Sequence, residues 1–366
     1  MKILIQMGKI GDSIIHHSIS PLAQVEAVSE VMLVTKKPGP PIEKVKYYSP
    51  PKLFMKSAVI SVACEFIVLI ILAIIKKPKV IIGYLLFPHG VMAYLAAKLT
   101  RKPIAISLIA GPVELYGIGS PLDYGPKEEL KLYGKIMLEV LKRLNAIIVK
   151  GSFTKTFLKK QGVNSSKVFP IINCPNTKEF YPVKTTKEFD VIFVGRLAPV
   201  KNVETVLLAI GELKKIKPNI KACIIGDGPC RKQLGDMTHG LGLEGNVHFA
   251  GHQKDVALYL NKSRVFILTS KREGFPNVYL EALLCGLPAV VSNCGDITDI
   301  AKDGYNSFVI DDCYDHKAFS EAILKLLTDE ELYNNIVLNI KEAVEKIENN
   351  NNSEIWATIV SNLTQE

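Results

Sequence analysis

Short apolar, β-branched runs alternate with helix-patterned stretches along almost the whole chain, and this alternation restricts the fold more than any other feature. The runs fall at residues 2–6, 31–35, 80–86, 104–108, 146–149 and 168–172. A second series follows at 190–194, 221–225, 247–249, 265–268, 289–291 and 307–310. Between them lie segments with apolar residues at i, i+3 and i+4, such as 202–215 and 278–285. A strand that reads as an unbroken apolar run is covered on both faces, and a helix after each strand makes the sheet parallel. The expected class is therefore α/β.

The two series are separated by a turn-rich, charged stretch that runs from Asn173-Cys174-Pro175-Asn176 to Glu188. At 366 residues the chain is long enough for two cores of ordinary size. The expected domains are residues 1–172 and 190–347, joined by a linker at 173–189. The polar run Glu348-Asn349-Asn350-Asn351-Asn352-Ser353 then sets off a last amphipathic segment, 348–366, which carries the only tryptophan, Trp356.

The formal net charge of +9 favours an anionic partner. No long Lys/Arg run with interleaved aromatics is present, so nucleic acid is not expected as that partner. Seven cysteines are scattered without C-x-x-C or zinc spacing, which fits reduced core thiols in a cytoplasmic protein. The first residues, Met1-Lys2-Ile3-Leu4-Ile5, read as a strand and not as a signal peptide. Residues 57–75 are apolar enough to resemble a membrane span, but Glu65 lies near the middle, where an acid is costly. A crossing would also put the strands at 2–6 and 80–86 on opposite sides of the bilayer. A buried or membrane-leaning helix is expected instead, and its flanks, Lys56 and Lys76-Lys77, suit peripheral contact with anionic lipid.

Three loops of the second half carry chemistry. After the strand at 190–194, Gly195-Arg196-Leu197-Ala198-Pro199-Val200-Lys201-Asn202 places two cations before a helix that Asn202 is suited to cap. Cations and free helix amides at the carboxyl edge of a parallel sheet form an anion site. Gly226-Asp227-Gly228-Pro229 is a glycine turn after the next strand. It is not a G-x-G-x-x-G fingerprint, so a dinucleotide site is not expected. The third loop, Glu273-Gly274-Phe275-Pro276-Asn277-Val278, leads into a helix that bears Glu281. A loop carboxylate can face sugar hydroxyls or a developing positive charge at an anomeric carbon, and one a turn inside the helix can hold a diol.

Together these segments resemble the donor-binding domain of the retaining glycosyltransferases of family 4, whose signature is a Glu, seven residues and a second Glu, here Glu273 and Glu281. Gly286-Leu287-Pro288-Ala289-Val290-Val291 and Gly304-Tyr305-Asn306-Ser307-Phe308-Val309 are also close to that family's pattern. The resemblance implies a GT-B fold, with two Rossmann-like β/α/β domains facing a central cleft. The N-terminal domain would take the acceptor, the C-terminal domain would take the nucleotide-sugar, and the Trp356 segment would return to the N-terminal domain. It further implies that Arg196 and Lys201 neutralise the departing diphosphate, that Glu281 holds the ribose and that Glu273 faces the transferred sugar. Gly195, Gly226 and the Gly274, Phe275, Pro276, Asn277 and Val278 stretch would complete the donor site. No metal or other cofactor is expected, because the two cations do that work and no Asp-x-Asp is found.

In the first half, Gly8-Lys9-Ile10-Gly11-Asp12-Ser13 is a glycine loop after the first strand. Gly11, His89 and Glu114 are candidates for the acceptor side. The family commonly has a histidine after the strand at 104–108, where this chain has Ile109-Ala110-Gly111-Pro112. The expected activity is retaining transfer of a sugar from a UDP or GDP donor to a glycan or lipid-linked acceptor, in cell-surface polysaccharide or glycolipid synthesis. A nucleotide-sugar 2-epimerase and a non-catalytic, glycan-binding or activating subunit of the same fold are the alternatives.

Overall fold

The computed structural model describes residues 1–8, 11–51, 57–117, 130–172, 175–348 and 351–364; the side chains of residues 12–14 and 58 are outside this description. Lys9, Ile10, Asn173 and Cys174, which fall in the expected glycine loop and linker, also lie outside it. The chain forms two compact units, one of residues 1–173 with 351–366 and one of residues 174–350.

The first unit runs β1 (Lys2–Gly8), α1 (Asp12–Gln24), β2 (Glu30–Thr35), β3 (Val45–Tyr48), α2 (Ala58–Ile75), β4 (Val80–Tyr84) and α3 (Val91–Thr100). It continues through β5 (Ile104–Ser107), α4 (Leu132–Lys142), β6 (Ala146–Val149), α5 (Ser152–Lys160) and β7 (Val168–Pro170). Seven parallel strands form one sheet in the order β3-β2-β1-β4-β5-β6-β7. One face packs Leu69 and Leu72 of α2, Ala93 and Ala97 of α3 and Leu141 of α4 against Leu4, Ile81, Ile106 and Ile147. The other face packs Ile15, Ile19 and Leu22 of α1 against Ile3, Ile5, Val31 and Ile82.

The second unit runs β8 (Phe189–Val194), α6 (Val203–Ile216), β9 (Ala222–Ile225), α7 (Arg231–Gly240), β10 (Val247–Gly251), α8 (Val256–Asn261) and β11 (Ser263–Leu268). Then come α9 (Asn277–Leu284), β12 (Ala289–Ser292), β13 (Ser307–Ile310), α10 (His316–Thr328) and α11 (Glu330–Glu348). Its six parallel strands are ordered β10-β9-β8-β11-β12-β13. The last helix, α12 (Asn352–Asn362), belongs to the first unit. There Trp356, Ile359 and Val360 join the α1 face of the core, and Asn352 Nδ2 donates to the Ile172 carbonyl at 2.8 Å.

Three local expectations differ from the structure. The strand β3 carries no clear signal because Val45-Lys46-Tyr47-Tyr48 lies at a sheet edge and is only half covered, so its residues need not be apolar. The strand expected at 80–86 stops at Tyr84. Leu85 turns to a φ of 65°, and the Leu86 N–H leaves the ladder for the Glu114 carboxylate at 2.5 Å. Asn202 precedes α6 but does not cap it with its side chain; it adopts a left-handed φ of 51°, and its Nδ2 donates to the Cys313 carbonyl at 2.7 Å.

No helix among the described residues is long and apolar enough to cross a membrane. The apolar helix α2 is tied at both ends into one parallel sheet, between β3 and β4, which a crossing would pull apart.

Candidate active site

In an open parallel sheet the chain first builds outward in one direction and then returns to build in the other. The two loops that diverge at that point leave a crevice at the carboxyl edge. In the second unit the reversal lies between β8 and β11. The loops that leave these two strands are the ones that carry Arg196 and Lys201, and Glu273. No local sequence pattern gives this adjacency, because 72 residues separate Lys201 from Glu273.

The loops are fastened together by their backbones. The Lys271 N–H donates to the Val200 carbonyl at 2.9 Å, and the Thr269 hydroxyl serves the carbonyls of Lys201 and Asn202 at 3.1 and 2.9 Å. Lys201 Nζ forms an ion pair with the Glu273 carboxylate. Arg196 is exposed and pairs with no carboxylate among the described residues. Gly274 is buried, and its carbonyl accepts from the Asp296 N–H at 2.8 Å. A side chain at Gly295, whose φ is 60°, would lie 2.1 Å from the Glu273 carbonyl, so this glycine lets the carboxylate loop settle.

Gly226 lies in the loop after β9, next to β8. It has a φ of 129°, and an added Cβ would stand 1.9 Å from the Gly195 carbonyl oxygen. The Leu197 N–H also reaches the Asp227 carbonyl at 3.0 Å. Gly226 therefore braces the loop that bears Arg196 and Lys201. Replacing Gly226 with alanine is expected to destabilise the protein by about 2–3 kcal/mol, since both the backbone angle and the space are wrong for a side chain. Urea unfolding should show this as a lowered midpoint at unchanged slope.

Helix α9 begins at Asn277, after Pro276, with Phe275 buried beneath it and Val278 in its first turn. Its first N–H groups have no acceptors within the helix. Glu281 lies one turn in, and its side chain makes no hydrogen bond among the described residues. Burial, and then the charge of Glu179, push its carboxyl up to about 7. Such a group binds its proton more tightly folded than unfolded, so its contribution to stability is present at low pH and is lost as pH rises from 4.5 through about 7. Burial raises Glu114 to about 7 in the same way. Thermal melts at about pH 5 and about pH 8 should show that Glu281→Gln loses less stability than the parent as pH rises, the opposite contributions of the depressed His17 and His89 being common to both proteins.

In the first unit the reversal lies between β1, which ends at Gly8, and β4, which is followed by His89. Gly8 has a φ of 65°, and an added Cβ would fall 2.0 Å from His89 Nε2, so the ring lies directly over this glycine. Gln6 Nε2 sits between Glu65 Oε2 at 3.0 Å and His89 Nδ1 at 3.1 Å. An amide nitrogen only donates, so Nδ1 accepts and the imidazole proton resides on Nε2. Burial, with Lys36 nearby, depresses His89 to about 4 and keeps the ring neutral. Burial also raises the Glu65 carboxyl. Glu65 thus marks the inward face of α2, a role its place in an apolar run signals but does not specify.

Glu114 is not disposed as a free acid or base. Its Oε2 takes the Leu86 N–H, and its Oε1 takes the Ala110 N–H at 2.8 Å, so it ties the loop after β4 to the loop after β5. Gly11 is exposed just before α1. No group of three His, Cys, Asp or Glu residues among those described is arranged to hold a metal ion.

Residues 176–343, which include the Lys201–Glu273 pair and Glu281, match the family model of glycosyl transferases group 1. The matched stretch is somewhat less than half of the chain and falls within the second unit. The chain is similar to the N-acetyl-alpha-D-glucosaminyl L-malate synthase of Bacillus anthracis, at 24% identity over 70% of this chain and 67% of that protein. It is 31% identical to an alpha-1,4-N-acetyl-D-galactosaminyltransferase of Campylobacter jejuni over 48% of each, so that match spans about half of the relative's length. Among solved structures, Anabaena Alr3699/HepE in complex with UDP and glucose superposes with a TM-score of 0.77 at 18% identity, covering 99% of this chain and 100% of that one. The likeness shows that the chain has the GT-B fold of two Rossmann-like units.

Proposed function

We propose that this chain is a group 1 glycosyltransferase and that it moves a sugar, with retention of anomeric configuration, from a UDP- or GDP-sugar to a glycan or lipid-linked acceptor. The setting is cytoplasmic synthesis of a cell-surface polysaccharide or glycolipid. The observation that carries the reading is the pairing of Lys201 with Glu273 from two distant loops at the switch point of the second unit. Breaking the bond between the anomeric carbon and the diphosphate leaves negative charge on the diphosphate and positive charge on the sugar. A cation and a carboxylate at one point answer both.

In this reading the ion pair is the resting state. A bound diphosphate draws Lys201 Nζ toward its oxygens, Arg196 adds a second cation from the same loop, and Glu273 is released to face the sugar. The first turn of α9 adds the positive end of its helix dipole to the anion site. Glu281, half-buried and without a hydrogen bond among the described residues, receives the ribose hydroxyls, which supply partners for its carboxylate. The names of two relatives agree with this chemistry: one is an N-acetyl-alpha-D-glucosaminyl L-malate synthase, and the other is an N-acetyl-D-galactosaminyltransferase whose name includes a PP-undecaprenol-linked glycan. HepE has been solved with UDP and with UDP-glucose.

The test is a thermal-shift screen of UDP- and GDP-sugars, followed by NMR of the anomeric proton in the product. A rise in melting temperature with one nucleotide class and an axial or equatorial bond unchanged from the donor are expected. No shift with any donor, or an inverted linkage, overturns the reading. Transfer should also persist in excess EDTA, because Arg196 and Lys201 supply the positive charge.

A further inference from the structure

Helix α2 is built inside out. The face it turns toward the protein carries Ser61 and Glu65 as well as Leu69, Leu72 and Ala73, and Glu65 is fully buried against Gln6. The face it turns outward is apolar: Ile60, Ile67, Ile71 and Ile74 stand exposed at helical spacing, and Ile75 is 69% exposed at its end. The pairing of Glu65 with Gln6 on β1, and of Ser61 with Glu65 at 3.2 Å, fixes this rotation, so the isoleucine stripe cannot turn inward without stranding a carboxylate. Helix α3 packs beside α2 and extends the surface with Leu95 and Leu99, the latter 72% exposed.

The charge beside the stripe has one sign. Residues 44–113 contain ten lysines and arginines and a single acid, the buried Glu65. Lys76 and Lys77 follow the stripe directly, and Lys98 and Arg101 lie at the end of α3, all exposed. Soluble surfaces rarely gather this many large aliphatic side chains in one stripe. A second protein copy would bring another Lys76, Lys77, Lys98 and Arg101 against the first set, so a self-interface is disfavoured electrostatically. An anionic bilayer satisfies both features at once: aliphatic side chains enter the interface while lysines meet the headgroups.

We propose that the outer face of α2 and α3 docks this protein on the surface of an anionic membrane, with α2 lying in the plane of the interface. The inference stands independently of the donor chemistry. It places the first unit where a lipid-linked acceptor would be presented.

Co-sedimentation with phosphatidylcholine vesicles, with and without phosphatidylglycerol, tests it. The protein should pellet with the phosphatidylglycerol vesicles and be released by high salt. Ile67→Glu with Ile71→Glu should reduce the bound fraction at least about tenfold, and Lys76→Glu with Lys77→Glu should abolish the preference for anionic lipid. All four positions are exposed or partly exposed ends of side chains. An unchanged melting temperature and unchanged UDP-induced shift would confirm that the variants fold. Failure to pellet with either vesicle, or binding that the four substitutions leave intact, overturns the proposal. So does a dimer, seen by light scattering without lipid, that the isoleucine substitutions dissociate.

Discussion

Glu273→Gln is expected to lower the rate of transfer by about 10²–10³-fold, while the affinity for UDP or GDP stays the same or rises slightly. The direction of the second effect is what makes the experiment informative. In the ligand-free protein Glu273 holds Lys201 in an ion pair, so the carboxylate competes with an incoming diphosphate for the same ammonium. Removing its charge frees Lys201 for the phosphates but removes the group that faces the sugar. A purely structural role predicts something else: Lys201 would lose its anchor, and nucleotide binding would fall together with activity. Calorimetry with the free nucleotide and a transfer assay on the same preparation separate the two. Full residual activity in the variant would show that this carboxylate is not at the sugar.

Lys201→Ala, and separately Arg196→Ala, should each weaken binding of the nucleoside diphosphate by about 10–100-fold, the scale of one charged hydrogen bond. Binding of the nucleoside alone should change by no more than about twofold. The contrast isolates the phosphates as the group that the two cations meet. Equal losses for nucleoside and nucleotide would sink the clamp. Arg196 is the cleaner probe because it is exposed and pairs with no carboxylate among the described residues, so its removal leaves no buried charge behind there. Lys201→Ala leaves Glu273 without its partner, and part of its effect therefore passes through that carboxylate.

The loops that carry the candidate donor site were legible because each ends an apolar strand and each has a chemistry visible in a few consecutive residues. Gly195-Arg196-Leu197 and Glu273-Gly274-Phe275-Pro276 are of this kind. What those loops do to one another was not legible. Gly226 reads as a turn glycine that touches a donor, whereas its closest neighbour is the Gly195 carbonyl, and its lack of a side chain sets the position of the neighbouring loop. Gly295 attracts no notice in the sequence, yet it supports the backbone of Glu273. Asn202 has the residue type of a helix cap, but a carbonyl 111 residues away takes its side chain. In each case a long-range backbone contact overrides a local preference, and such contacts leave no periodic trace.

The first unit shows the same division. Glu114 is a carboxylate in a loop, which a sequence reading can only mark as available; the structure spends both oxygens on backbone N–H groups. His89 follows a strand, and only the strand order reveals that it lies over Gly8 at a switch point. The sequence alone determined the class of fold, the existence of two β/α series and the identity of the charged loops, because hydrophobic period and turn chemistry are local properties. Tertiary structure alone decided which loops meet, which carboxylates remain free and which face of α2 looks outward. Those outcomes depend on strand order and on the burial of single polar groups such as Glu65, and both are settled only when distant segments pack.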